Sequence, residues 1–164
     1  MTVICISGTP GTGKTEVANA LAQRLGWMCV HLNDLAESKD LYAGYDEERD
    51  CRIVDEGKVN RELGRMGEMH NLIAESHYAH EMDCDWVVML RAKPDELRER
   101  LKKKGWKPKK IEENVLSEIM EICKSEAFER GRKVVEIYTT GKEAGKVADE
   151  IVSLLKKKKV IDNV

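Results

Sequence analysis

The 164 residues suffice for one compact domain with its own core and are too few for two ordinary ones. With 28 basic against 30 acidic residues the net charge is -2, a balanced surface that does not demand nucleic acid as a partner. Five scattered cysteines, never paired as C-x-x-C, argue against a disulfide framework or a zinc ribbon. Because no apolar run approaches the roughly 18 residues of a bilayer span, the expectation is a reduced, soluble, cytoplasmic protein.

Short apolar runs alternate with stretches of helical period, the pattern of a parallel sheet covered by helices. The first strand is expected at Thr2 to Ser7, followed by a helix whose stripe is Val17, Ala18, Leu21, Ala22 and Leu25 and which Gly26 closes. Further strands are expected at Met28 to Leu32, Asn71 to Ser76, Trp86 to Arg91 and Val134 to Tyr138. Several are apolar almost without alternation, as suits a sheet buried on both faces.

Pro94 suits the first turn of a helix carrying Leu97 and Leu101, while Ile111, Val115, Ile119 and Ile122 predict one side of a longer helix. Ala144, Val147, Ala148, Ile151 and Leu155 predict the last one, and the lysines from Lys156 to Lys159 read as its solvated end rather than a nucleic-acid surface. Two stretches interrupt the alternation, Glu37 to Gly57 and Lys102 to Lys110, and these are the expected places for an acceptor pocket and a mobile cover. The fold class is thus α/β, with a central five-stranded parallel sheet between two helical layers.

Residues 8 to 15, "GTPGTGKT", fit G-x-x-x-x-G-K-[ST] and join the first strand to the first helix. A turn of this kind wraps a polyphosphate with inward N–H groups and a helix N-terminus, with Lys14 reaching the terminal phosphates and Thr15 placed for magnesium. A second acidic anchor is expected at the end of another parallel strand, and "NLIAESHYAH" offers Glu75, with His77 two residues on and, by strand period, on the same side. The H-x-x-H of His77 and His80 is too weak a signal for zinc, so magnesium arriving with the nucleotide is the expected cation. Arg91, at the end of an apolar strand, and Arg100, on the helical face of Lys104, are candidate cations for the transferring phosphate.

The tract "LYAGYDEERDCRIVDE", residues 41 to 56, taken with "GTPGTGKT" and "IAESH", resembles the adenylate kinase isoenzyme 6 family over nearly the whole chain. The resemblance implies a single P-loop kinase domain over residues 1–164, with a monophosphate-binding segment at about 31–54 and a short lid at about 103–113. It implies ATP-phosphate contacts at Gly11, Thr12, Gly13, Lys14, Thr15 and Glu16, a lid contact at Lys104, and an adenine contact at Lys142. Acceptor contacts are implied at Asp34, Tyr42, Gly44, Tyr45 and Asp46.

Three departures stand out: Glu75-Ser76-His77 where the family has Asp-x-His, Lys104-Gly105 where it has Arg-Gly, and Glu37 where it has an arginine. Lysine keeps the charge at the lid but lacks the planar fork of arginine. The implied activity is ATP + AMP = 2 ADP with magnesium and a broad acceptor range, accompanied by ATPase activity for which His77 would position water. The resemblance also implies a role in small ribosomal subunit maturation through ribosomal protein eleven of that subunit and pre-ribosomal particles. An assembly ATPase whose kinase activity is incidental is the alternative, and a small-metabolite kinase the remoter one. No N-K-x-D sequence supports a GTPase.

Overall fold

The computed structural model describes residues 1–162; positions 163–164, the end of the expected domain, lie outside the described residues. Five parallel strands form the central sheet: β1 (Val3–Ser7), β2 (Met28–His31), β5 (Leu72–Glu75), β6 (Trp86–Arg91) and β7 (Val134–Tyr138). Their spatial order is β2-β5-β1-β6-β7, so β1 lies at the centre between β5 and β6. All five expected strands are present.

Alternate side chains of each strand enter two different cores, which is why the strand sequences read as continuous apolar runs. Ile4, Ile6, Ile73, Val88 and Leu90 meet α1 (Lys14–Leu25) and α7 (Ala144–Lys157) on one face. Val3, Cys5, Leu72, Ala74, Val87 and Met89 meet α2 (Leu32–Ser38), α3 (Glu56–Met69) and α6 (Ile122–Glu129) on the other. A third, smaller core of Ala92, Leu97, Leu101, Ile111 and Val115, with Trp106 against it, joins α4 (Pro94–Lys103) to α5 (Pro108–Ile119). Pro94 and Pro108 occupy the first turns of these helices, where their missing N–H groups cost nothing.

Three readings from sequence need correction. The polar interruption at Glu37 to Gly57 contains an antiparallel hairpin, β3 (Tyr42–Asp46) paired with β4 (Cys51–Val54), and leads into α3, a helix not expected at all. The single helix face from Ile111 to Ile122 is broken, because Glu121 takes a left-handed φ of 54° between α5 and α6 and leaves Ile119 exposed. Finally, β5 ends at Glu75, so the strand period does not carry to His77: Glu75 is buried and His77 is exposed. Among the described residues no helix is long and apolar enough to cross a membrane.

Candidate active site

The phosphate loop, residues 8–13, leaves the C-terminal end of β1 and enters α1. Two of its glycines are dictated by close packing. A Cβ on Gly8 (φ 147°) would lie 2.5 Å from the Leu90 carbonyl oxygen, and one on Gly11 (φ 91°) would lie 2.8 Å and 2.9 Å from methyl groups of Leu97 and Leu101. The loop is thus wedged between β6 and α4.

Hydrogen bonds fix the loop from several sides. The Thr12 hydroxyl donates to the Thr9 carbonyl at 2.8 Å, and the Thr139 hydroxyl, just past β7, donates to the Thr12 carbonyl at 2.8 Å. Arg100 reaches in from α4 and donates to the Gly11 carbonyl at 3.2 Å and to the Thr139 hydroxyl and carbonyl at 3.0 and 2.9 Å. In this state its guanidinium therefore fastens the loop, with Glu96 beside it at 3.2 Å. These bonds hold the loop in shape before any ligand arrives, which is the preorganisation that makes backbone N–H groups effective against developing charge.

Lys14 donates to the Thr9 carbonyl at 3.2 Å. Burial brings its ammonium down to about 8, with Glu75 pulling the other way and the Lys104 ammonium adding to the decrease. Lys104, at the end of α4, thus acts on the same electrostatic region as the loop lysine. Thr15 and Glu16 are exposed in the first turn of α1, and the Thr15 hydroxyl donates to Glu75 Oε1 at 3.2 Å. A hydroxyl and a carboxylate are the hard oxygen donors that Mg2+ prefers, so this pair fits a magnesium ion carried in with a nucleotide.

Sequence reasoning did not single out the residues that hold Glu75. His31 lies directly opposite it in the parallel register of β2 and β5, and Nδ1 donates to Glu75 Oε1 at 2.8 Å. The other ring nitrogen, Nε2, meets the Asn19 carboxamide of α1 at 3.0 Å. His77 is exposed beyond Glu75; partial desolvation and the Lys14 ammonium push its imidazole below the ordinary value. His80 does not join these groups. It is buried, with Nδ1 2.6 Å from the Ser7 hydroxyl and Nε2 2.8 Å from Glu126, and so ties α6 to the strand that precedes the loop.

Arg91 has a different environment from the free cation expected at a strand end. Its guanidinium is bound by Glu118, by Glu121 and Glu136 at 2.9 Å each, and by the Glu118 carbonyl at 3.0 Å. These partners come from the end of α5, the α5–α6 break and β7, so Arg91 ties β6 to the α5–α6 junction and to β7. Lys142, beyond β7, pairs with Glu150 of α7 at 2.9 Å. It lines a surface cavity of about 540 Å³ on that side, with Glu136 and Tyr138.

The acceptor candidates occupy the opposite flank. Asp34 is exposed in the first turn of α2. Tyr42 is half-buried, with the Arg52 guanidinium 3.7 Å above its ring, and it packs with the cluster containing Tyr78. Gly44 and Tyr45 are exposed, the Tyr45 hydroxyl meeting Asp50, while Asp46 accepts from the Arg49 N–H at 3.1 Å. Glu37 is exposed on α2. The Tyr78 hydroxyl is buried without a hydrogen-bond partner among the described residues.

An AAA-domain family profile matches residues 4–121, which span the phosphate loop, the hairpin and helices α4 and α5. A protein of Methanocaldococcus jannaschii named "Putative adenylate kinase" is 36% identical over 95% of this chain and 87% of its own length. Relatives with the same name in Methanosarcina barkeri and Pyrococcus furiosus are each 39% identical, over 99% and 93% of this chain and 87% and 83% of their own lengths. The chain belongs to this archaeal adenylate kinase family. Beyond the adenylate kinase family, the fold matches a shikimate kinase of Acinetobacter baumannii, TM-score 0.66 at 16% identity, covering 98% of this chain and 96% of that one. A gluconokinase of Sinorhizobium meliloti gives 0.60 at 15% identity, covering 96% and 93%. At such identities the likeness is one of fold, a P-loop α/β kinase architecture.

Proposed function

We propose that this protein transfers the terminal phosphate of ATP to AMP, ATP + AMP = 2 ADP, with a broad range of nucleoside monophosphate acceptors. The observation that carries the reading is the convergence of Lys14, Thr15 and Glu75 at one end of the parallel sheet. That end is flanked by a hairpin on one side and a basic lid on the other, in a chain whose family is named for this activity.

In this reading the loop N–H groups and Lys14 bind the β- and γ-phosphates, and Lys104 closes on them from the lid. Thr15 and Glu75 would hold the magnesium ion carried with the nucleotide, which would offset negative charge on the β- and γ-phosphates. Asp34, Tyr42, Gly44, Tyr45 and Asp46 form the acceptor flank, and Lys142 lies on the adenine side. Arg100 and Arg91 serve the transfer by holding the loop and the base of the lid, because alignment rather than covalent chemistry is what phosphoryl transfer requires.

The resemblance to the isoenzyme 6 family adds hydrolysis. An exposed, neutral His77 beside Lys14 supports it, since such an imidazole can accept a hydrogen bond from an attacking water. The same resemblance adds ribosomal protein eleven of the small subunit as a partner in maturation, which a pull-down with that protein in the ATP and ADP states tests. For the kinase, the deciding experiment incubates protein and Mg–ATP with and without AMP and measures ADP and free phosphate separately. AMP-stimulated ADP with little phosphate supports transfer. Phosphate accumulation indifferent to AMP replaces it with an ATPase.

A further inference from the structure

We propose that His31 is a positioning residue that selects the Glu75 oxygen presented to the magnesium ion of Mg–ATP. The inference deepens the kinase reading and rests on Glu75 being the acidic anchor. Glutamate carries one more rotatable bond than aspartate, so at the end of a four-residue strand its carboxylate needs a tether to hold one orientation. The structure supplies one.

Oε1 receives both the His31 ring N–H at 2.8 Å and the Thr15 hydroxyl at 3.2 Å. Oε2 makes no hydrogen bond among the described residues. Saturating one oxygen leaves the other as the available ligand for a metal ion or its bound water. The imidazole is itself fixed at its far side, where Nε2 meets Asn19 at 3.0 Å. A carboxamide can serve either as donor or as acceptor by turning over, so Asn19 satisfies Nε2 whichever tautomer the Glu75 contact imposes.

The chain Asn19–His31–Glu75–Thr15 thus links α1, β2 and β5 and returns to α1. It is the outer-shell arrangement in which a hydrogen-bonded partner fixes a ligating carboxylate, and loss of such a partner typically costs about 10- to 100-fold in metal affinity. His31 touches neither phosphate nor metal in this scheme, so its effect must appear in the metal dependence of nucleotide binding.

The test is direct binding of a non-hydrolysable ATP analogue, with excess Mg2+ and with EDTA, to the wild-type protein and to His31→Ala, His31→Asn and Asn19→Ala. No acceptor is present, so the result does not depend on the fate of the phosphate. His31→Ala is expected to weaken binding about tenfold or more with Mg2+ and to leave the EDTA value within about twofold. His31→Asn, whose amide N–H replaces the Nδ1 donor, is expected to recover most of the loss. Asn19→Ala leaves His31 in place and gives an intermediate loss, a readout that stands if His31→Ala fails to fold.

A His31→Ala protein, or in its absence an Asn19→Ala protein, with wild-type metal dependence overturns the role of His31 alone. Equal losses with and without Mg2+, unrelieved in His31→Asn, also overturn it by making the residue merely structural. A wild-type protein whose binding ignores Mg2+ overturns the Glu75 anchor and this proposal together, whereas failure of AMP to stimulate ADP formation touches only the kinase reading.

Discussion

The phosphate loop and the β3–β4 hairpin flank the same end of the sheet but are built in opposite ways. The loop is wedged against Leu90, Leu97 and Leu101 and stitched by Thr139 and Arg100, so its shape is set before ligand binds. Most of the hairpin is exposed on both faces, and its contacts are surface pairs such as Arg52 with Asp40 and Tyr45 with Asp50. Surface pairs of this kind contribute little individually. On the reading proposed above, the donor half of the site is therefore prebuilt, while the acceptor half is held loosely enough to be remodelled by what it binds.

Removing the loop's charge gives the largest effect: Lys14→Ala is expected to lower phosphoryl transfer about 100- to 1000-fold in a coupled ADP assay, with circular dichroism unchanged. Gly11→Ala attacks the wedge itself. A Cβ at φ 91° against two leucine methyls is expected to lower unfolding free energy by about 2–3 kcal/mol in urea titration. A mutant of wild-type stability would show that the loop is less rigid than its packing implies.

The charge of Lys14 also sets a pH dependence. With its pKa lowered to about 8, the ammonium is present below that pH and is lost above it. Nucleotide affinity should accordingly fall by up to about tenfold per pH unit above 8, and binding in that range should take up a proton, measurable by calorimetry in buffers of different ionisation enthalpy.

Changes in the hairpin should be milder and should separate the two substrates. Arg52→Ala removes the cation over Tyr42 and is expected to raise the KM for AMP about two- to fivefold while leaving that for ATP unchanged. Gly44→Ala meets nothing within 4 Å, and its effect on stability should stay within about 0.5 kcal/mol. Equal losses from Gly11→Ala and Gly44→Ala would erase the contrast between the two halves.

The same contrast explains what was legible in the sequence. The five central strands announce themselves because both faces are buried, and the loop does so because its chemistry restricts residue type at fixed spacing. The hairpin has no alternation to read, since only its ends, Tyr42 and Val54, pack on a core while its middle is exposed on both faces. The helix α3 was hidden because only Val59 and Leu63 are buried in it, among polar residues and three glycines, Gly57, Gly64 and Gly67.

Contacts set by register were out of reach for a different reason. Nothing along the chain relates His31 to Glu75; the pairing of β2 with β5 does. Arg91 could be recognised as a cation at a strand end, yet its carboxylate partners come from separate segments that only the fold assembles. Likewise the break at Glu121 overrides an apolar spacing that continues through it.

The central position of β1 also orders events during synthesis. This strand precedes both of its neighbours, β5 and β6, in the chain, and the groups that hold the following loop belong to α4 and the segment after β7. A nascent chain therefore carries β1 without a strand partner until β5 has emerged, and its loop without all its clamps until Thr139 has. Parallel pairing over such separations is slow and leaves apolar edges open meanwhile. Nucleotide supplied during refolding should hasten only the final docking of α4 onto the loop, not the earlier assembly of the sheet.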